Sequence, residues 1–423
     1  MIRQILPLVS AAALLAGCGS QAPVATGDNF AYLYGKGATD VRLDARVYQP
    51  ADGQAVIYFK LRTADLLYKG SGGGGPYYAR VQMRYEAFPE PGSRQLLDSA
   101  STSIRDQALT PTEDKELIGS MPLKLTRDEP FILRITAHDL NRDVQSTVLL
   151  RMDRAKASVA RDFLPLRPDN LPLFDDHVAP GTRINVQAER HAQTVLTVDH
   201  FAAVEQLPAP VFTQAQPPAL GGPPDSSFSV MVGADGTFPF TAGNSGFYHF
   251  RADTASANGF TLYVHGPGYP TIQTAEDMVV PLRYITSNKE WEEIAAAPDP
   301  RKQVERFWTD AAGSRDRARE AIAAYYGRVE SANRHFTSYT EGWRTDRGLV
   351  HIIFGTPTTI RKSAEGESWT YGDESNLMSL VFTFVRREEP FSNNDLMLRR
   401  DPQLKSAWYR NVESWRNGRI LPY

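Results

Sequence analysis

Short segments in which apolar and polar residues alternate run through the first two thirds of the chain and constrain its fold most. One of them covers residues 81–85, and Phe131, Leu133, Ile135 and Ala137 share one face of another. A period of two places the apolar side chains on one face of a strand. Short strands of this kind, separated by turn residues, are typical of antiparallel sheets with one face on a core. The sequence therefore predicts a mainly β structure.

The alternating segments fall into two groups, which predict two β-domains. The first group occupies residues 29–155 and the second residues 156–285, with a proline-rich stretch at the start of the second. We expect each group to form an antiparallel, immunoglobulin-like β-sandwich. Residues 207–224 interrupt the second group and are rich in Pro, Gly and Ala, which favours an extended surface loop.

Helical periodicity replaces the strand pattern after about residue 286. Ser287 and Glu290 have the spacing of a capping box at a helix start. Apolar residues at spacings of three and four predict an amphipathic helix of about six turns over residues 315–336. Further strands are predicted over residues 349–354, 367–371 and 377–385, and a short helix over 404–415. Residues 286–423 are thus expected to form an α+β domain with a long helix and a small sheet.

The first twenty residues have the pattern of an export signal. Arg3 precedes an apolar run over residues 5–15, and small residues then lead to Cys18, the one cysteine of the chain. The run is too short to span a bilayer comfortably. Residues 15–18 read Leu-Ala-Gly-Cys and resemble the lipobox of bacterial lipoproteins. The resemblance implies a signal peptide over residues 1–17, lipidation of Cys18 and a lipidated tether over residues 18–28.

The residues around Cys18 also bear on location and chemistry. Residues 19–21 contain neither the aspartate of an inner-membrane retention signal nor the acidic cluster of a surface-export signal, so the resemblance favours the periplasmic face of the outer membrane. An acylated Cys18 leaves no free thiol, which excludes thiol catalysis and cysteine-based metal sites. The formal net charge of −3 gives no reason to expect a nucleic-acid partner.

A motif near the C terminus suggests a family. Residues 342–348 read Gly-Trp-Arg-Thr-Asp-Arg-Gly. These residues resemble the signature of the GWxTD domain family. The resemblance extends over about residues 287–415, because Phe307-Trp308 and the long helix lie upstream, and Gly355-Thr356-Pro357 and an aromatic strand lie downstream. Its members are typically exported proteins of Bacteroidota and Acidobacteriota with β-rich regions ahead of the domain. No established activity of the family can be carried over to this chain, and no cofactor is expected. The chain departs from the family pattern at residues 308–311.

The motif residues have a structural interpretation and a functional one. Trp343 can bury a large apolar surface, and Gly342 and Gly348 permit backbone angles closed to other residues. Thr345 and Asp346 can accept hydrogen bonds from nearby backbone N–H groups. The structural interpretation is a well-fastened turn from helix to strand, with Arg347 paired to Asp346 or to a helix acid. The alternative is contact with a ligand or partner through Gly342, Trp343, Thr345, Asp346, Arg347 and Gly348.

Histidines and neighbouring acids offer weak candidates for metal binding. The eight histidines show no His-Glu-x-x-His spacing. Asp175-Asp176-His177 and Asp199-His200 could bind a metal, but their places at loops or strand ends favour ordinary surface residues. We therefore predict no metal site.

Two arrangements could carry hydrolytic chemistry. Asp346 with His335 or His351, beside Ser331 or Thr345, has the residue types of a nucleophile and its base, but no Gly-x-Ser-x-Gly elbow accompanies them. Glu365 and Glu367 could act as a glycosidase carboxylate pair. Their position in a loop that enters a strand favours solvated side chains, and we predict no catalytic residues.

These observations favour a non-catalytic, membrane-anchored lipoprotein. The β-domains would act as spacers, and the C-terminal domain would bind an envelope protein partner through exposed aromatic anchors such as Trp343, Trp408 or Trp415. One alternative is an envelope glycan-binding protein or hydrolase. Another is an accessory factor in secretion or outer-membrane assembly.

Overall fold

The computed structural model describes residues 29–420 except 36–40, 71, 73–74, 111–113, 125–128, 153–156 and 215–221. The chain is mainly β, with several antiparallel sheets and C-terminal helices. Cys18 and the predicted signal peptide and tether lie outside the described residues. Within the described part, no helix has both the length and the apolar character needed to cross a membrane.

The N-terminal part contains two antiparallel sheets that share one core. Its strands are β1 (Leu43–Ala51), β2 (Gln54–Arg62), β3 (Lys69–Gly70), β4 (Tyr77–Phe88), β5 (Asp98–Ala108), β6 (Glu116–Leu123), β7 (Phe131–Asp139) and β8 (Val144–Met152). One sheet has the order β1-β2-β6 and the other β3-β4-β7-β8, with β5 along β4. Phe59 and Leu61 of the first sheet share a core with Val81, Met83 and Tyr85 of the second. The alternation at residues 81–85 therefore marks a half-buried strand, as predicted.

The middle part repeats this plan with different strands. Its elements are α1 (Ala157–Arg161), β9 (Leu164–Leu166), β10 (His177–Val178), β11 (Arg183–Gln187), β12 (Val195–Ala202), β13 (Ser226–Met231), β14 (Thr237–Thr241), β15 (Gly246–Arg251) and β16 (Phe260–Val264). The sheets have the orders β10-β16-β15-β12-β13 and β14-β11-β9. All pairs are antiparallel except β10 with β16. Val198, Phe238 and Phe250 belong to the core between them.

The C-terminal part combines helices with a four-stranded antiparallel sheet. Its elements are α2 (Ala275–Val279), α3 (Asn288–Ala295), α4 (Pro300–Ala312), α5 (Arg315–Phe336), α6 (Asp346–Phe354), β17 (Thr359–Lys362), β18 (Gly366–Tyr371), β19 (Leu380–Arg386), β20 (Leu396–Leu398) and α7 (Lys405–Arg416). The sheet order is β17-β18-β19-β20. The capping box is confirmed, because Ser287 and Glu290 bond reciprocally through side chain and backbone. Helix α5 covers the predicted residues.

The predicted strand over residues 349–354 is wrong, because these residues belong to helix α6. Thr345 caps the helix by accepting a hydrogen bond from the Gly348 N–H, and Asp346 occupies the first turn. All nine residues of α6 are buried. A helix buried on every side reads as a continuous apolar run, which periodicity alone cannot distinguish from a buried strand.

The segment over residues 207–224 is not a plain surface loop. Val211 is fully buried in the C-terminal core, and its carbonyl accepts a hydrogen bond of 3.1 Å from the Asp401 N–H. The Phe212 ring lies 5.5 Å from that of Tyr409 on α7. The described residues of this segment therefore attach the middle part of the chain to the C-terminal helices.

The first described residues also join the C-terminal sheet. The Phe30 N–H donates to the Ile360 carbonyl at 2.8 Å, so the chain pairs with the outer edge of β17. Tyr34 is buried against Phe336 of α5 and Trp369 of β18. Both ends of the described chain thus contribute to one core.

Candidate functional site

The motif turn connects α5 to α6 as a capped helix start. Gly342–Arg344 form a short 3-10 turn. The Thr345 hydroxyl donates to the Gly342 carbonyl at 2.8 Å and accepts from the Gly348 N–H at 3.0 Å. Threonine suits this position because its short side chain returns to the backbone N–H groups that lack a partner within the helix.

The two motif glycines allow close packing rather than unusual backbone angles. Neither has a positive φ. A Cβ added at Gly342 would lie 2.1 Å from the Ala332 carbonyl oxygen, and one added at Gly348 would lie 2.1 Å from the Gly342 carbonyl oxygen. The expectation of special backbone angles is therefore wrong, and the glycines are required because α5, the turn and α6 touch through their backbones.

Trp343 is enclosed, with only 4% of its surface exposed. Its indole N–H donates to Glu341 Oε2 at 3.0 Å, and its backbone N–H donates to Asn333 Oδ1 at 3.0 Å. The Arg344 guanidinium lies 4.3 Å from the ring centroid, and the Tyr284 hydroxyl donates to the Trp343 carbonyl. Each polar group of this residue is therefore used within the domain.

Asp346 bonds to distant residues rather than to its own turn. Its carboxylate accepts from the Leu398 N–H at 2.7 Å and from Arg400 Nη2 at 2.6 Å. Both the Asp346 and the Arg400 side chain are about 9% exposed. The predicted pairing of Asp346 with Arg347 is not found, because Asp346 attaches the start of α6 to β20 and the segment after it.

Arg347 and Glu367 are at the centre of a buried ionic group. Arg347 Nη1 lies 3.3 Å from Glu367 Oε1, and Lys362 Nζ lies 2.8 Å from the same oxygen. The Tyr34 hydroxyl also donates to this oxygen, and the Trp369 indole donates to Oε2 at 2.9 Å. Burial alone would raise the pKa of Glu367, but Lys362 and Arg347 outweigh it and lower the pKa to about 2. The prediction that Glu367 is solvated is wrong.

A second pair of acids lies in the loop between β19 and β20. Glu389 and Asp395 are 6% and 7% exposed. Burial raises the pKa of Glu389 to about 8 and that of Asp395 to about 6. Glu389 is therefore protonated in the folded protein at neutral pH. No pattern in the sequence marks these two acids, because their burial results from packing against residues far away in the chain.

Histidine and serine do meet, but inside the domain. His351 Nε2 lies 3.1 Å from Ser331 Oγ, and the two residues are 2% and 5% exposed. Asp346 is paired with Arg400 instead. Burial lowers the pKa of His335 to about 4. The hydrolytic arrangement of the sequence is not assembled, and the Ser331–His351 contact joins α5 to α6.

The acid–histidine neighbours of the middle part are engaged in packing. Asp199 accepts from Arg251 Nη2 and from the Ser227 hydroxyl, each at 2.6 Å. Asp199 and His200 are 5% and 7% exposed, so the prediction of surface residues is wrong for them. The ring of His177 stands edge-on to Tyr269. The residues that the structure describes contain no group of three His, Cys, Asp or Glu side chains placed to hold a metal.

Two cavities stand out in the described structure, and neither borders the motif. One has a volume of about 130 Å³ on the outer face of β4, β7 and β8, lined by Gln82, Arg84, Thr136, His138 and Gln145. The other, of about 460 Å³, is an open depression lined by Thr358, Thr359, Gly372, Asp373 and Glu374. The motif residues are thus part of the core rather than of a cleft.

Fold and motif together define a mainly β protein that ends in an α+β domain fastened around a Gly-Trp-Arg-Thr-Asp turn. Residues 246–417 match the family model of the GWxTD domain, so the C-terminal part of this chain is a GWxTD domain. The match begins at β15, ahead of residue 287. Phe247 and Tyr263 of β15 and β16, inside the matched region, pack with Tyr339 and Phe391 of the C-terminal part.

No match was found among curated proteins. Solved structures that match include a calcium-binding mutant of Bacteroides uniformis beta-glucuronidase 2, at 11% identity, 39% of this chain, 16% of that chain and a TM-score of 0.19. A crystal structure of Bacteroides uniformis beta-glucuronidase has the same identity and shares, with a TM-score of 0.18. The chain thus spans a small part of these proteins, and the similarity is too low to support an inference about fold or activity.

Proposed function

We propose that the protein is an outer-membrane lipoprotein that faces the periplasm and is anchored through acylated Cys18. Two immunoglobulin-like β-sandwiches orient a non-catalytic GWxTD domain, which binds an envelope protein partner. The lipobox at residues 15–18 supports the anchor. Two or more acyl chains on one residue hold a protein stably at a bilayer.

The observation that carries this proposal is that the motif side chains bond to other residues inside the domain. Thr345 caps α6, Asp346 binds Arg400, and Arg347 binds Glu367. A ligand that bound these side chains would have to break buried ion pairs, and removing one partner of such a pair is strongly unfavourable. The motif therefore supports a rigid domain, and recognition belongs to its outer surface.

Burial argues against the alternative of a glycan-binding protein or hydrolase. Trp343, Asp346, His351 and Trp369 would line the cleft in that case, but they are 4%, 9%, 2% and 0% exposed. A substrate needs access to the groups that act on it. An accessory role in secretion or outer-membrane assembly is compatible with partner binding, and the identity of the partner would decide it.

The surface of α7 is the place where we propose partner contact. Trp343, Trp408 and Trp415 are 4%, 6% and 2% exposed, so the expectation that they are exposed anchors is wrong. Tyr409 of the same helix is 54% exposed and lies against Phe212, which Lys405 also covers. Tyrosine is one of the residue types enriched in interaction hot spots.

Photo-crosslinking from single positions tests the proposal. We expect a benzoylphenylalanine that replaces Tyr409 to crosslink one envelope protein in living cells. Leu109, which is 81% exposed on the N-terminal part, is the matched control position and should not capture that protein. Capture of the same proteins from both positions, or of none from Tyr409, would contradict partner binding through α7.

A further inference from the structure

We propose that the tip of the β18–β19 hairpin, residues 372–379, inserts Leu377 and Met378 into the bilayer to which the chain is anchored. This inference rests on the lipid anchor of the proposed function and adds a second membrane contact. The hairpin would fix the orientation of the GWxTD domain relative to the membrane, which a tether alone does not do.

The tip presents the most exposed large apolar side chains of the described structure. Leu377 is 101% exposed and Met378 is 86% exposed, and Val381 at the start of β19 is 49% exposed. Strand β19 begins at Leu380 rather than at the predicted residue 377. Exposed apolar groups that stand together mark an interaction site more often than single ones do.

The turn that carries these side chains is held by its own hydrogen bonds. The Asn376 N–H donates to the Asp373 carbonyl and the Ser379 N–H to the Asn376 carbonyl, each at 3.0 Å. Asn376 Oδ1 accepts from the Met378 N–H at 2.9 Å. The backbone is thus fixed locally, while both apolar side chains point away from the domain.

The N terminus enters the fold at the same end of the sheet. Asn29 Nδ2 donates to the Thr358 carbonyl at 3.1 Å, and Asn29 Oδ1 accepts from the Ile360 N–H at 3.0 Å. The Gly372 N–H at the base of the tip donates to Thr358 Oγ1 at 3.1 Å. Two strand spacings, about 10 Å, therefore separate the entry point at Asn29 from Gly372 at the base of the tip.

The length of the tether keeps this end of the sheet near the bilayer. Eleven residues lead from Cys18 to Asn29. Even a fully extended chain of this length reaches at most about 40 Å. An acylated Cys18 thus keeps Asn29, which lies at the same end of the sheet as the hairpin tip, within about 40 Å of the bilayer.

The chemistry of the tip fits a lipid surface. Glu374 forms a two-point ion pair with Arg361, at 2.8 and 2.7 Å, and Asp373 Oδ1 accepts from the Ser375 N–H and hydroxyl. The Glu374 charge is therefore paired with a cation, while the Asp373 carboxylate stays negative and is stabilised by the hydrogen bonds from Ser375. Apolar side chains flanked by small polar groups can enter the boundary between headgroups and acyl chains.

A fluorophore at the tip tests this inference, because acylation of Cys18 leaves an introduced cysteine as the one thiol. Leu377→Cys is labelled with an environment-sensitive dye in the full lipidated chain and reconstituted into phosphatidylethanolamine–phosphatidylglycerol vesicles. We expect blue-shifted emission that a lipid-borne quencher suppresses. Leu109→Cys, labelled in the same way, is the control, and its dye should show the emission expected in water. In the mature chain from residue 18 with Cys18→Ser, which lacks both the anchor and the signal peptide, Leu377→Ser should weaken vesicle binding about tenfold.

The outcomes separate this inference from the anchor. Mass spectrometry that finds Cys18 without acyl chains would refute the anchor and, with it, the membrane contact. An acylated chain whose Leu377 dye reports water would overturn the membrane contact alone. Equal quenching at Leu377 and Leu109 would also overturn it, because the contact would then not be specific to the hairpin.

Discussion

At the scale of single residues, two adjacent motif side chains fix α6 to two different parts of the sheet. Asp346 pairs with Arg400 after β20, and Arg347 pairs with Glu367 on β18. Consecutive helical residues point about 100° apart, so neighbours in the sequence reach separate partners. The motif thus orients the short helix by two buried ion pairs, which explains why an acid and a base follow each other there.

Glu389 predicts a pH dependence of stability. Burial raises its pKa from 4.5 to about 8, so its contribution is fully present below pH 4.5 and is lost as the pH rises through 8. We expect the wild type to lose about a few kcal/mol of free energy of unfolding relative to Glu389→Gln between pH 5 and pH 9. The glutamine stays neutral, and the comparison cancels the opposite contribution of His335, whose lowered pKa makes stability rise with pH.

Tryptophan fluorescence during urea unfolding would measure the effect, because all six tryptophans lie between residues 291 and 415 and report on this domain. Glu388→Gln, at the exposed neighbouring position, is the matched control and should leave the pH dependence unchanged. A difference in stability between the wild type and Glu389→Gln that is the same at pH 5 and pH 9 would contradict the assignment of a protonated Glu389.

At the scale of elements, the contact between α5 and α6 depends on glycine. The Cβ of an alanine at Gly342 would overlap the Ala332 carbonyl oxygen, and a backbone neighbour cannot move aside as a flexible side chain can. We expect Gly342→Ala to lower the free energy of unfolding of the domain by about 1–3 kcal/mol or more, the range of overpacked cores.

Gly266→Ala provides the comparison, since a Cβ there would meet nothing within 4 Å and φ is not positive. Its effect should be within about 0.5 kcal/mol, as for most surface substitutions. Equal stability of the two variants in urea titrations would show that the backbones of α5 and the motif turn can separate without cost.

At the scale of the whole molecule, the N-terminal segment is part of the C-terminal core. Tyr34 is 7% exposed, and Tyr32, two residues earlier, is 46% exposed. We expect Tyr34→Ala to destabilise the GWxTD domain by about 3–5 kcal/mol, as for other large aromatic residues in cores, although Tyr34 lies far from this domain in the sequence.

Tyr32→Ala should change the stability far less, and thermal unfolding followed by tryptophan fluorescence would compare the two variants. If both melt like the wild type, the first residues are not required by the domain. A large loss in Tyr34→Ala alone would mean that an isolated fragment starting at residue 286 lacks part of its own core.

The sequence by itself determined those elements whose cause is local. The spacing of apolar residues specified α5 at residues 315–336, the Ser287–Glu290 pair specified the start of α3, and alternation specified strands such as β4 and β7. One face of each long element packs on a core and the other faces solvent. Apolar residues therefore recur along its sequence with the period of a helix or a strand.

Tertiary structure decided what depends on distant partners. Helix α6 is buried on all sides, so the apolar run over residues 349–354 cannot be distinguished from a buried strand by its sequence. Glu367 is ionised in the interior because the charges of Lys362 and Arg347 and the hydrogen bond from Trp369 lower its pKa, and Glu389 is neutral because packing excludes water from it. The charge state of a carboxyl group follows from the field and solvent around it, and these are set by residues that the fold, not the chain order, brings together.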